Sequence, residues 1–345
     1  MSRRIRLAHV GPVAMAIPPA GSGSVELMTS LLTEALVRRG LDVTLFATAN
    51  SRTLARLHAT FDRGYVENPD MWPWELYEML NLAAAVERAG EFDLIHYQAA
   101  YYPMSLAFAR ISPTPIVQTL HHAPSPGEVA LWSRYPEIPF VAISREQARL
   151  LRGVTLAGTV LHGIDTSSFS FRATPDDYLL FLGRFTAGKG VLQAIDIARR
   201  AGLRLLLAAP EDDYYRAQVA PQVDGTRIVY AGEVGHDDKV RLLGGARCLL
   251  YPVQAGEPFG LVLPEAMACG TPVAALDRGA VREVVDEGVT GRIFADEDAL
   301  LAGLPDVLAL DRARVRARAV ERFGIDRMAD EYVGVYHRLL DGGRR

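Results

Sequence analysis

Short apolar runs alternate with helix-patterned segments along this chain, and the alternation stops once and then begins again. In the first half, "IRLAHVG", "DVTLFAT", "DLIHYQ", "PIVQTLHH" and "PFVAIS" read as strands. Between them, "SVELMTSLLTEALVRRG" and "WELYEMLNLAAAVERAG" carry apolar residues at helical spacing and stop at Gly40 and Gly90; "REQARLLRG" is a shorter helix, and "GTVLHGID" closes the run. After the polar stretch "DTSSFSFRATPDD" the pattern restarts. "YLLFLGR", "RLLLAAP", "RIVYAGEV", "RCLLYPV", "PVAAL" and "GRIFA" read as strands, and "GVLQAIDIARRAG", "HDDKVRLLGGA", "LVLPEAMACG" and "DEDALLAGL" as helices. Strand–helix alternation implies parallel sheets covered by helices on both faces. The chain is therefore expected to be α/β, with Rossmann-like domains at residues 1–168 and 169–325. Residues 326–345 hold a last helix, "MADEYVGVYHRLL", that either completes the second domain or packs back on the first. Ligands of such sheets bind beyond the carboxyl ends of the strands, and a cleft between the two domains is the expected site.

Bulk properties narrow the function classes. The 345 residues are 49% hydrophobic and 23% charged, as in globular proteins with true cores. A net charge of −4 gives no basic field for nucleic acid. Arginine dominates the cations, and Lys189 and Lys239 are the only lysines. Cys248 and Cys269 lie in apolar runs without metal spacing, which reads as buried thiols in a reducing, cytoplasmic setting. His9, Gly11 and Pro12 interrupt the first apolar run, so it reads as a buried strand rather than a signal peptide. No stretch is long enough to span a bilayer. Peripheral membrane contact stays open, without a basic amphipathic run to support it.

Several short motifs bear on chemistry. "GRFTAGKG", Gly183 to Gly190, nearly matches a P-loop, but Gly190 stands where a Mg²⁺-holding hydroxyl belongs. A second reading keeps the phosphates and drops the metal, with Arg184 and Lys189 neutralising a diphosphate directly. A plain basic turn is the third. "AGSGSVE" opens the first helix with Gly21 and Gly23 but lacks the third glycine of a dinucleotide fingerprint; it suits either close ligand approach or an ordinary turn. "DED", Asp296 to Asp298, reads as a helix cap before a metal motif. His121 and His122 follow a strand and suit either a substrate hydrogen bond or a structural one, as do His96 and His162. Trp72, Trp74 and Trp132 either stack on a ligand or pack.

The segment "EPFGLVLPE" is the most informative. Pro264 is tolerated only in a helix's first turn, which places the helix start between Gly260 and Leu263. The amides of Gly260, Leu261 and Val262 then favour anionic oxygens, while Glu257 and Glu265 project carboxylates to different depths. That combination suits a sugar joined to a nucleoside through phosphate.

At this point the chain resembles the retaining glycosyltransferases of family 4. "EPFGLVLPE" resembles their Glu-x7-Glu motif. "GRFTAGKG" is similar to their Gly-Arg-Leu-x-x-x-Lys-Gly loop, with Phe185 for Leu. "VAIS", "LHGID", "AGEV", "EAMACGTPV" and "EGVTGRIF" follow in matching order, so the resemblance covers nearly the whole chain. It departs at His162, where the family often has Asn, and at Gln98, where a second His is frequent. The resemblance implies a GT-B fold, with the acceptor mostly on the first domain and a sugar nucleotide, UDP- or GDP-linked, mostly on the second. It implies that Arg184 and Lys189 bind the diphosphate and Glu265 the ribose hydroxyls. Glu257 would meet hydroxyls of the transferred sugar beside the backbone of Pro258, Phe259 and Gly260. Leu261 and Val262 would offer amides to phosphate. His121 would approach the reacting carbon, Gly21 and Gly23 would line the cleft, and the base would lie near Pro210 and Val234. His121, Glu257, Arg184 and Lys189 are the implied catalytic set. The implied reaction moves a sugar to a hydroxyl of a saccharide, lipid or small molecule with no metal and no cofactor. A non-catalytic sugar-nucleotide binder, an epimerase and a phosphorylase are the alternatives on this architecture.

Overall fold

Strands buried along their length and paired in parallel dominate the computed structural model, which describes residues 4–98 and 105–342. The chain divides into two units, residues 1–163 with 325–345, and residues 164–324. The boundary expected at 168 thus falls at 163, and Ile325 belongs with the first unit. Ile164 pairs with Gly324 in a parallel bridge, which ties both ends of the second unit together and explains the shift.

In the first unit, β1 (Arg6–Val10), β2 (Asp42–Thr48), β3 (Arg56–Phe61), β4 (Leu94–Tyr97), β5 (Ile116–Thr119), β6 (Phe140–Ala142) and β7 (Leu156–Thr159) form a sheet ordered β3-β2-β1-β4-β5-β6-β7. Every pairing is parallel. Alternate residues face opposite layers. Leu7, Val117 and Val141 pack with Leu32 and Leu36 of helix Ser24–Arg38 and with Met328, Tyr332 and Tyr336 of helix Ile325–Gly342. Ala8, Val10 and Ile95 face the other way, onto Leu82 and Ala85 of helix Trp74–Glu87. The last helix therefore covers the first sheet.

In the second unit, β8 (Leu179–Leu182), β9 (Leu205–Ala208), β10 (Ile228–Gly232), β11 (Leu249–Tyr251), β12 (Val273–Leu276) and β13 (Gly291–Phe294) are parallel and ordered β10-β9-β8-β11-β12-β13. Helices Val191–Ala201 and Glu297–Leu308 bury Ile195, Leu300 and Leu304 against Phe181, Leu205, Leu250 and Leu276. In both sheets the strand order reverses beside the first strand, between β1 and β4 and between β8 and β11. Such switch points are where parallel α/β sheets bind ligands.

Several elements escaped the sequence pattern, and three of them show why. β3 is an edge strand with half-exposed residues, so its alternation is weak. Helix Pro126–Trp132 has only 7 residues, too few for helical spacing to show; Ser125 caps it, accepting from the Glu128 amide while the Glu128 carboxylate accepts from the Ser125 amide. Helix Arg312–Phe323 is crowded with arginine, yet Val315, Ala319 and Phe323 are buried at a spacing of four. Its first residue, Arg312, is itself buried. The guanidinium donates to the carbonyls of Arg172, Gly244 and Ala246 and to the Thr271 hydroxyl. Arg312→Leu removes this donor set and leaves buried acceptors unpaired. The variant should lose about 3 kcal/mol or more in urea denaturation; a loss under about 1 kcal/mol would show that the network contributes little.

Candidate functional site

The second unit gathers the charged residues singled out in the sequence at the carboxyl ends of adjacent strands. Arg184 follows β8 and Pro210 follows β9. Val234 follows β10, and Glu257 to Val262 follow β11. Arg184 is exposed, with no ion-pair partner among the described residues. Lys189 closes a 3₁₀ turn, Ala187–Lys189, that Thr186 caps by accepting from the Lys189 amide. The Gly188 carbonyl accepts from the amides of Gln254 (2.9 Å) and Ala255 (3.3 Å), which joins this loop to the one after β11. Gly190 explains why the P-loop pattern fails. Its φ is +77°, and a Cβ there would lie 1.9 Å from the Pro252 carbonyl oxygen. The close approach of two loops, not metal binding, sets the residue type.

Around the two glutamates the structure adds a partner that the sequence did not supply. Lys189 Nζ donates to Glu257 Oε2. Lys239 Nζ, on helix His236–Gly245, donates to Glu265 Oε1 at 2.6 Å. The chain's two lysines thus each hold one glutamate of the motif. Glu265 is 5% exposed, a burial that an ionised carboxylate tolerates only with a cation beside it. Lys239 carried one signal in the sequence, its rarity, since Lys and Arg together number 37 and only two are lysine.

Backbone geometry positions the loop between the glutamates. The Glu257 carbonyl accepts from the Ala280 amide at 2.9 Å. The Phe259 side chain is buried and meets Phe323 edge-on, so only its backbone is left to face a ligand. Gly260 has φ +85°, and a Cβ there would come within 2.5 Å of the Tyr251 hydroxyl. That hydroxyl is buried and meets no well-formed hydrogen-bond partner among the described residues, and burial together with the nearby Glu257 carboxylate keeps it protonated far above its usual range. Helix Val262–Ala268 then begins, with Pro264 in its first turn. Its leading amides have no partner within the helix.

In the first unit, Gly23 caps helix Ser24–Arg38, where a Cβ would sit 3.0 Å from Glu26, Met15 and Pro19 atoms; Gly21 is exposed nearby. His121 follows β5 and is partly exposed. Its Nε2 is 2.7 Å from Gln98 Oε1, and its ring stacks on His162 at 5.3 Å. His9 and His96 are register partners on β1 and β4, so their rings share a face and stack at 5.1 Å. The other candidates separate from this group. His122 Nε2 pairs with Glu128 Oε1 of the capping box at 2.9 Å. Asp296 accepts from the Ala299 amide as a helix cap, and Asp298 pairs with Arg200. Trp132 is buried on Phe140, Trp74 lies against Tyr65, and Trp72 is exposed. Cys248 and Cys269 are buried, and burial pushes both thiols up to about 12.

All four stacked imidazoles are held neutral. Burial lowers His9 and His121 to about 3, and lowers His96 and His162 well below 6.5, with neighbouring rings adding to the effect. An unfolded chain binds protons at these sites below about pH 6.5, and the fold does not. Their contribution is therefore fully present above about 6.5 and lost on acidification. Glu78 works the other way. Burial raises it to about 8, so it favours the fold as pH falls, and Glu26 is raised in the same direction. Four histidines outweigh two glutamates. Denaturation at pH 7, 6 and 5 should show falling stability with net proton uptake on unfolding; constant or rising stability would contradict the assignment.

Known proteins match this geometry. Residues 164–322 match the family model for Glycosyl transferases group 1, and residues 25–167 match that for Glycosyltransferase Family 4. A phosphatidyl-myo-inositol mannosyltransferase of Mycolicibacterium smegmatis is 30% identical, over 68% of this chain and 67% of its own. A D-inositol 3-phosphate glycosyltransferase of Mycobacterium avium is 27% identical, over 98% of this chain and 94% of its own. The solved structure of AviGT4, a glycosyltransferase involved in avilamycin A biosynthesis, superposes with a TM-score of 0.76 at 24% identity, covering 98% of each chain. The two parallel-sheet units are those of GT-B glycosyltransferases, and the chain belongs to glycosyltransferase family 4.

Proposed function

We propose that the protein transfers a hexosyl group from a UDP- or GDP-linked sugar to an acceptor hydroxyl with retention of configuration, and that it does so without a metal ion. The observation that carries this reading is the pairing of Lys189 with Glu257, from the loops after β8 and β11, and of Lys239 with Glu265, from the helices after β10 and β11, beside an Arg184 with no ion-pair partner among the described residues. A diphosphate supplies the anion that Arg184 lacks and a second one for Lys189, and hydroxyl groups supply donors to the carboxylate oxygens that the lysines leave open. Glu265, with Oε1 held by Lys239, has Oε2 left for the ribose diol. Glu257 meets hydroxyls of the transferred sugar, and His121 of the first unit takes the sugar contact that family membership suggests.

A carboxylate nucleophile, as in retaining glycosidases, fits poorly here. Lys189 holds Glu257 in an ion pair, which lowers its nucleophilicity. Front-face displacement fits better. The bond from the anomeric carbon to the phosphate oxygen breaks ahead of bond formation. The acceptor oxygen then bonds the same face, and its proton passes to the departing phosphate oxygen. Arg184 and Lys189 stabilise the negative charge that develops on that phosphate, which is where preorganised donors contribute most. Both curated relatives are named for inositol-containing compounds, so inositol, inositol phosphate and phosphatidylinositol belong first on an acceptor panel.

Thermal-shift screening with UDP-, GDP- and ADP-sugars, followed by transfer assays, tests the reading. Lys189→Ala should lower kcat by about 10²–10³ at saturating donor. Wild-type turnover in that variant would refute the charge-stabilising role, and loss of activity in EDTA would refute metal independence. Gly190→Ser completes the P-loop pattern in sequence. It should nevertheless create no ATPase and should reduce the donor-induced thermal shift, because the added Cβ forces Pro252 away. An undiminished shift would contradict the loop packing.

A further inference from the structure

The buried polar groups of the first unit form a chain of hydrogen bonds in which each proton's position determines the next. The chain starts on helix Ser24–Arg38. The Thr33 hydroxyl donates its single proton to the Thr29 carbonyl at 2.7 Å. Its oxygen can therefore only accept from His9 Nδ1, 2.7 Å away, so that nitrogen carries hydrogen. His9 is fully buried and neutral, which leaves Nε2 as an acceptor. The atom facing it at 2.9 Å must then be a donor, the Gln98 amide nitrogen. This settles the orientation of an amide whose oxygen and nitrogen are otherwise interchangeable. Gln98 Oε1 consequently faces His121 Nε2 at 2.7 Å, and a carbonyl oxygen can only accept.

His96 agrees with the same arrangement. Its Nε2 lies 3.3 Å from the Gln98 amide nitrogen and 2.8 Å from the Thr119 hydroxyl, both able to donate, while Nδ1 faces the Tyr336 hydroxyl at 2.7 Å. Tyr332 reaches the Thr119 hydroxyl at 3.0 Å. Helices Ser24–Arg38 and Ile325–Gly342 thus both anchor the array.

We propose that Gln98 is a positioning residue that fixes His121 in the tautomer with hydrogen on Nε2, so that Nδ1 presents a lone pair to a hydroxyl group of the bound substrate. No partner for Nδ1 is found among the described residues. The His162 ring beneath, stacked at an interplanar angle of 14°, limits rotation of His121. A site built this way accepts a hydrogen bond from a substrate hydroxyl. It does not donate one to a carbonyl or phosphate oxygen, and it disfavours a deoxy substrate that leaves the nitrogen unpaired. The tautomer follows from the hydrogen-bond chain alone, whereas its use on substrate rests on the transferase reading above.

Long-range ¹⁵N–¹H correlation spectra of ¹⁵N-histidine-labelled full-length protein test the tautomer without any substrate. His121 should show a pyrrole-like Nε2 and a pyridine-like Nδ1, and His9 the reverse. A proton on His121 Nδ1 would overturn the inference. Gln98→Leu should give His121 mixed tautomers, and Gln98→Glu, which keeps an acceptor at the position, should preserve the Nε2–H form. If Gln98→Leu fails to fold, Thr33→Val tests the far end of the chain: it should change the tautomer signature of His9 and then of His121, and an unaltered His121 would break the relay. For turnover, the probes are UDP-glucose and GDP-mannose with the acceptor panel above. With either donor, Gln98→Leu should lose about tenfold in kcat with donor KM little changed, and Gln98→Glu should recover most of it. Equal kcat in the wild type and Gln98→Leu would refute the positioning role. The expected wild-type spectrum without turnover on any donor would count against the transferase reading and leave the tautomer assignment standing.

Discussion

Two lysine–glutamate pairs hold the second unit's loops in register with its sheet. Glu265 is buried in the first turn of a helix, and taking an ionised carboxylate out of water costs several kcal/mol unless a cation accompanies it. Lys239 provides that charge from a separate helix, so the pair also fixes where helix His236–Gly245 sits relative to helix Val262–Ala268. Lys189 and Glu257 lie on the two loops that the Gly188 carbonyl joins, and both side chains are about one-quarter exposed. The Lys239–Glu265 pair is the more deeply buried of the two. The shallow pair follows from the strand order, because β8 and β11 are neighbours at the switch point, whereas the deep pair depends on the packing of two helices.

The first unit solves the complementary problem with no charge at all. His9, His96, Gln98, Thr119 and His121 come from three strands and the residues that continue them. Alternation along β1, β4 and β5 turns them to one face. Five polar side chains there would be costly if any were unpaired, and each finds a partner in another or in Thr33, Tyr332 or Tyr336. Neutrality is the condition for this, since a proton on any buried ring would replace an acceptor with a second donor. The C-terminal helix matters for the same reason. It brings two tyrosine hydroxyls across more than 200 residues of sequence to complete the array.

The difference between the units shows what sequence could and could not convey. Alternation of strands and helices is local, so the two-sheet architecture and nearly every strand were readable. β3 and helix Arg312–Phe323 were not, because an exposed edge and an arginine-rich surface dilute the periodicity. The glutamate motif was readable because its elements lie within nine residues, and Pro264 marks the helix start. Lys239 was not, since its partner is 26 residues away and depends on two helices packing. His96 and His162 looked like isolated histidines for the same reason. Register, which pairs His9 with His96, is a long-range property that no window of sequence contains.

Gly190 separates resemblance from chemistry most sharply. By pattern alone it is a P-loop with its final hydroxyl missing. By geometry it is a left-handed residue pressed against a neighbouring carbonyl, in a place where no side chain fits. The consequence reaches the proposed reaction. A hydroxyl at that position could have shared in holding Mg²⁺, and the loop would then neutralise phosphate through a metal. Since packing excludes one there, the positive charge on this loop comes from Lys189, which the turn ending at Gly190 carries, and from Arg184 five residues earlier. The constraint that brings the two loops together thus leaves this loop's positive charge to its side chains, as the proposed metal-free reaction requires.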